Sequence, residues 1–169
     1  MRFLKLQILN FSTLKAEALL EYGKVSSAKR LLLQALSKGK ATHGSNSRIH
    51  WLLGETYTAS QQTKDAGLHY LEYLRSAEET NDSCANLEVK DAIGKNYVVD
   101  SLFGQAKTCF SDALFTATTL YGCDHVEVAK GLQGLAKVYS HSELKRAEEL
   151  LREGECYLPF KFIVTNVGS

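Results

Sequence analysis

Proline occurs once in the 169 residues, at Pro159. A chain of many short strands and turns uses more, so its scarcity, beside long Leu/Ala/Glu/Lys-rich stretches, favours helices. There is no surplus of either charge. Twenty basic and 19 acidic residues in mixed order leave a formal net charge of +1. That excludes the basic footprint of a nucleic-acid or anionic-membrane binder. No run of about 18 apolar residues is present, so no membrane insertion is expected. The opening "MRFLKLQILNF" is interrupted by Lys5, Gln7 and Asn10 and leads to no small-residue cleavage site. It reads as helix rather than signal peptide.

The four cysteines (84, 109, 123, 156) form no CxxC pair and no zinc spacing. Without a secretion signal they are expected as reduced thiols in a cytoplasmic setting. The two glycosylation sequons, at Asn10 and Asn81, then carry no meaning. Five histidines (43, 50, 69, 125, 141) stand singly, with no His-x-x-x-His or Glu-x-x-His, so no metal and no cofactor are expected. No phosphate loop is present. Cys123-Asp124-His125 puts three catalytic residue types in a row, but adjacent residues do not assemble a triad; its members meet through the fold. Glu78-Glu79 and Glu148-Glu149 read as solvated helix surface.

What the sequence does contain is a repeat. Hydrophobic residues make up 44% of the chain, enough for a core. A small residue followed at i+4 by a large one, and then by another small or aromatic residue, starts at Ala28, Ala66, Ala106 and Ala147. These starts are 38, 40 and 41 residues apart. Upstream of three copies lies a partner segment: Leu53-Gly54-x-x-Tyr57, Ile93-Gly94-x-x-Tyr97 and Leu135-Ala136-x-x-Tyr139. Residues at i, i+3 and i+4 share one helix face. Each pair of segments is therefore two amphipathic helices joined by a short turn, with Gly54, Gly94 or Ala136 allowing close approach and Tyr70, Phe110 or Leu151 filling the space. Such a hairpin cannot bury its apolar face alone and stacks on the next.

The pattern resembles the tetratricopeptide repeat (TPR), with small residues at the eighth, twentieth and twenty-seventh positions; in the third copy these are Gly94, Ala106 and Ala113. Tyr97 and Phe110 match its large positions. Its turn glycine is kept as Gly23 in the first copy and replaced by Ser101 in the third. Pro159, five residues after Gly154, matches the family's frequent proline. The long period and the segment "LYGCDHVEVAKGLQGLAKVY" (120–139) resemble the kinesin-light-chain-like subgroup. The resemblance implies an all-α, right-handed α-solenoid of about four TPR-like hairpins filling 1–159, with repeats near 9–45, 46–85, 86–124 and 125–159 and an apolar tail at 160–169. Helix pairs are expected near 9–22/25–39, 46–60/63–80, 86–100/103–120 and 125–140/143–156. "HGSNS" (43–47), "NDS" (81–83) and "YGCD" (121–124) are the linkers, Gly122 stands past a helix end, and Ser142 is read as an N-cap.

In the resembled family the first helix of each pair lines a concave groove. Projection places Arg48, Trp51, Glu55, Thr58 and Ala59 there in repeat two; Glu88, Asp91, Lys95, Val98 and Val99 in repeat three; and Lys130, Gln133, Lys137, Ser140 and His141 in repeat four. Trp51 is the only tryptophan, an aromatic of the kind that anchors interfaces, although packing between repeats would also account for it. Glu55 and Asp91 stand where relatives that clamp a chaperone's terminal carboxylate need cations or amides, so that activity is disfavoured.

The expected function is non-enzymatic: a scaffold or adaptor for a protein or peptide partner, cytoplasmic and compatible with cytoskeletal, ciliary or motor, or ubiquitin-ligase assemblies. Residues 1–8, read as the end of an earlier helix, and apolar 160–164 do not form polar caps. This raises a fragment, a truncated isoform, flexible tails, or homo-oligomeric self-assembly through the ends. An RNA-binding helical repeat and a thiol enzyme are two further readings, both disfavoured by the charge balance and the cysteine surroundings.

Overall fold

The computed structural model describes the backbone of residues 2–38 and 46–156, and the side chains of 11–37 and 46–154. Among the described residues there are eight α-helices and no strand: α1 (Arg2–Glu21), α2 (Val25–Lys38), α3 (Ser47–Ala59), α4 (Thr63–Glu79), α5 (Ser83–Val99), α6 (Phe103–Tyr121), α7 (Val126–Tyr139) and α8 (Leu144–Cys156). They fall into two compact units, Met1–Asp82 and Ser83–Ser169. Each unit holds two helical hairpins, α1–α2 and α3–α4 in the first, α5–α6 and α7–α8 in the second.

One turn type recurs because one hydrogen-bond pattern ends the helices. After α1, Lys24 N–H donates to the Leu19 carbonyl (2.8 Å) and Gly23 N–H to that of Leu20 (2.9 Å). The same two bonds follow α3, from Gln62 to Tyr57 and Gln61 to Thr58. They follow α5, from Leu102 to Tyr97 and Ser101 to Val98. This Schellman arrangement needs a left-handed residue. Gly23 (φ 68°) supplies it without strain, whereas Gln61 (58°), Ser101 (59°) and, after α4, Asn81 (53°) carry side chains there. The left-handed region costs a non-glycine residue roughly 1–2 kcal/mol, against which glycine loses more chain entropy. Ser101→Gly is therefore expected to stabilise the second unit by about 0.5–1 kcal/mol. Urea unfolding checks it; an unchanged or lower midpoint would mean the strain is already relieved.

In the first unit Ala16, Leu32, Ala35, Ile49, Leu52 and Leu53 form the core, with Trp51 and Tyr57 packed on its margin. The second unit's core includes Leu87, Ala106, Phe110, Ala113, Leu132, Leu135, Ala136 and Ala147, with Tyr97 and Tyr139 packed against it. The close approaches are made by glycine. A Cβ on Gly54 would fall on the Tyr70 ring, and one on Gly94 would lie 2.8 Å from Phe110 Cε1. Phe110 also takes Gly134 of α7 on its ring, and Gly131 sits 3.1 Å, by its would-be Cβ, from Leu114 Cβ. Gly131 and Gly134 are not part of the sequence pattern, which puts the small residue of that helix at Ala136.

Three expectations need correction. Residues 2–8 are not the end of an earlier helix and the first helix does not start near residue 9: α1 runs unbroken from Arg2, since no glycine or proline interrupts it. The linker read at "NDS" (81–83) is instead residues 80–82, because α4 ends at Glu79 and Ser83 already opens α5. Ser142 does not cap α8; the Glu143 carbonyl accepts the first helical bond, from Ala147 N–H (3.1 Å), making Glu143 the cap position. The cap of α7 is His125: its Nδ1 accepts the Glu127 N–H at 3.3 Å. Gly122 does end α6, with φ 82° and its N–H on the Thr118 carbonyl. Pro159, the 160–169 tail and residues 43–45 of "HGSNS" lie outside the described residues.

Candidate functional site

Helical spacing places Trp51, Glu55 and Thr58 on one face of α3. Tyr70 reaches that face from α4. Its ring is 1% exposed, lies against Gly54, and is centred 5.6 Å from the Trp51 ring. Its hydroxyl donates to Glu55 Oε1 at 2.7 Å and meets Thr58 Oγ1 at 3.2 Å. Burial, opposed by the Thr58 bond and reinforced by Glu55, holds the Tyr70 phenol well above its ordinary pKa, so it stays a donor. Tyr73 completes the cluster, its ring 5.3 Å from Trp51. Trp51 is therefore a packing residue of the α3–α4 hairpin that remains half-buried, and Glu55 is oriented by a buried neighbour.

Arg48 is exposed and forks onto Glu17 of α1, with Nη2 at 2.7 Å and Nε at 2.9 Å from Oε1. In the second unit, α5 carries exposed Glu88, half-buried Asp91 and exposed Lys95, whose Nζ lies 2.6 Å from Asp91. On α7, Lys130 pairs with Glu127 at 2.7 Å, while Gln133 and Lys137 are exposed. His141 stands in the turn after α7 with its ring stacked on Phe103, centres 4.4 Å apart. Arg48, Lys95 and Lys130 thus each face a carboxylate. Exposed pairs of this kind contribute about 0–1 kcal/mol, and each makes its own helix face mixed in charge.

Most repeat-pattern residues fill the interiors; Leu151 does not, being 45% exposed, and Leu150 is buried in its place. Leu53, Gly54, Ala66, Tyr70, Gly94, Ala106, Phe110, Ala113, Leu135, Ala136 and Ala147 are buried; Tyr57, Tyr97 and Tyr139 are half-buried. Burial pushes the Cys109 thiol up, against what a nucleophile needs. Cys84 Sγ lies 3.1 Å from the Tyr121 hydroxyl. His125, beside exposed Cys123, uses its Nδ1 as a cap. Among the described residues no group of three or more His, Cys, Asp or Glu could hold a metal ion, and no helix is long and apolar enough to cross a membrane.

Two solved structures share this architecture. BtubC (BKLC) from P. vanneervenii superposes with a TM-score of 0.73 at 20% identity, over 84% of this chain and 59% of that one. A single-residue variant of a Podosopora anserina protein, described as a kinesin light chain with nearly identical TPR-like repeats, gives 0.78 at 19% identity, over 88% and 74%. The chain has the TPR-like repeat fold. It spans about three fifths of BtubC. No family model matches the chain, and no curated protein does. In TPR-like terms, α3, α5 and α7 are the first helices of their hairpins and carry the surface residues described above.

The sequence did not single out one pair of the TPR-like hairpin α3–α4. His50 and His69, nineteen residues apart and each isolated in sequence, meet with their Nδ1 atoms 3.0 Å apart. The signal was the antiparallel register: once Gly54 faces Tyr70, His50, one turn earlier in α3, lies within reach of His69 in the middle part of α4.

Proposed function

We propose that the chain is a non-catalytic interaction scaffold that binds a peptide, helix or other subunit through the first-helix faces of its hairpins. The reading rests on the Trp51–Tyr70–Tyr73 cluster and the Glu55 carboxylate that Tyr70 orients. This is a half-buried aromatic group with a fixed polar partner, the kind of feature that anchors recognition. Lys95, Lys137, Glu88 and Asp91 supply a mixed-charge surface that suits register and specificity in a protein partner. The kinesin-light-chain description of one structural neighbour supports a cytoplasmic adaptor in a cytoskeletal or motor assembly, with ciliary and ubiquitin-ligase assemblies as other destinations.

Quantitative affinity purification with mass spectrometry tests this with Trp51→Ala, Lys95→Glu and Lys137→Glu against the unaltered chain. Lys95 and Lys137 are exposed, so their reversal leaves the cores intact. A partner using this face is expected to be retained about 5- to 30-fold less with at least one variant. Equal recovery of every partner with all three would remove the reading.

Self-association is a second reading, favoured by Phe11 (69% exposed) and Leu14 (64%) on α1. Light scattering at high concentration decides it: a strict monomer, indifferent to Phe11→Ser and Leu14→Ser, rules out this face.

A further inference from the structure

His50 of α3 and His69 of α4 approach head-on. Their ring centres are 5.2 Å apart while the two Nδ1 atoms are 3.0 Å apart. The difference nearly equals the depth of two half-rings, so both nitrogens lie close to the line of centres and their lone-pair directions oppose each other. That is the geometry of an N–H···N hydrogen bond, with a proton on one Nδ1 and a lone pair on the other. In a chelate the lone pairs would instead converge on a point about 2.0–2.1 Å from each nitrogen. Both rings are half-buried. His69 also stacks on Tyr57, centres 5.3 Å apart, and Lys29 Nζ of α2 sits 4.1 Å from the centre of the Tyr57 ring.

We propose that the His50–His69 bond is a proton-sensitive latch of the α3–α4 hairpin, closed while the two facing nitrogens hold one proton between them and open when both rings are cationic. In the neutral pair, the donor ring has a free Nε2. A first added proton goes there and leaves the bond in place. The acceptor ring has only its Nδ1 to protonate, so a second proton sets two N–H groups and two positive charges against each other. The pair titrates as a unit.

The surroundings fix the direction. Burial is the largest influence on both rings and disfavours their cations; Arg75 adds to this at His50, and His50 itself at His69. Glu72 opposes it at both rings and Asp65 at His69. Of the other charges on the packed helices, Arg48 pairs with Glu17, Glu55 with Tyr70, and Lys29 with Gln62 Oε1 at 2.9 Å and the Tyr57 ring, while Glu79 lines the same cavity as His50. Net, both pKa values lie below the 6.5 of a free imidazole. The unfolded hairpin then binds more protons than the folded one. Its stability is full above about pH 6.5 and falls as the pH drops below it.

Hydrogen exchange on the full chain at about pH 7.5 and about pH 5, corrected for intrinsic rates, tests the latch. The core amides of α5 and α6, helices without histidine, are the internal reference. The α3–α4 amides are expected to lose several-fold more protection than the reference. His69→Gln should abolish that excess. In imidazole NMR of the unaltered chain, a slowly exchanging Nδ1–H and mutually dependent titrations are expected. Equal loss of protection in both hairpins, or two rings that titrate independently at their ordinary value, overturns the latch, and the NMR reading stands even if His69→Gln does not fold.

Discussion

Replacing Phe110 by alanine is expected to destabilise the second unit by about 3–5 kcal/mol, the cost of deleting a fully buried aromatic ring. Phe110 is 1% exposed and lies between two glycines from different helices, Gly94 of α5 and Gly134 of α7. Neither neighbour has a side chain that could move into the space, so the cavity stays open. The same geometry predicts a change of sign. In the unaltered chain, Gly134→Ala drives a methyl into the Phe110 ring, which cannot yield because Gly94 backs it. Overpacking of this kind costs about 1–3 kcal/mol, only partly offset by the roughly 1 kcal/mol that alanine gains in helix propensity. In the Phe110→Ala background the obstacle is gone and the propensity gain remains. Gly134→Ala should then stabilise by about 0.5–1 kcal/mol. Denaturant unfolding monitored by hydrogen exchange in α5–α8 separates the second unit from the first. The same sign in both backgrounds would mean that Phe110 is not wedged between the two helices.

This wedge shows which part of the fold is legible in the sequence. Gly94 and Phe110 belong to one hairpin, whose short turn fixes their spacing, so the i, i+3, i+4 pattern names both. Gly134 meets Phe110 from the next hairpin. The connection through Gly122 and His125 sets that register, and no fixed spacing encodes it. The turn residues divide in the same way. Ser101 is legible because it replaces a glycine at a known place in the pattern, and its φ of 59° is what that place demands. Glu143 could not be told from Ser142, because cap choice turns on a single carbonyl. The surface is the least legible part. Projection onto helix faces names Arg48, Lys95 and Lys130, yet each faces a carboxylate. Two of these partners, Asp91 and Glu127, stand four and three residues before their lysines, a spacing that helical geometry makes readable. Glu17 comes from another helix and could not be read. Projection also names Glu55 as a groove carboxylate. Its bond to the otherwise buried Tyr70 depends on Gly54 letting the ring pass.

Gly54→Ala is expected to lower the stability of the first unit by about 1–3 kcal/mol despite alanine's better helix propensity. The added Cβ would fall on the Tyr70 ring, and Tyr70 has little freedom to retreat. Its hydroxyl is held by Glu55 and Thr58, and Trp51 lies beside its ring. Trp51 is the only tryptophan of the chain, so its fluorescence reports this hairpin directly. The expected result is a urea midpoint shifted downward in Trp51 emission, with a changed emission maximum at zero denaturant and no change in exchange protection across α5–α8. Tyr70→Phe separates the two holds on the ring: it keeps the wedge and removes the hydroxyl bond, at about 1–2 kcal/mol for a bond to a charged acceptor that solvent partly screens. Combined with Gly54→Ala, it frees the ring to shift, so the double variant should lose less than the sum of the singles, as expected of contacting residues. Strict additivity would mean that the ring is not held at both ends. The Trp51–Glu55 face would then have no rigid support from beneath.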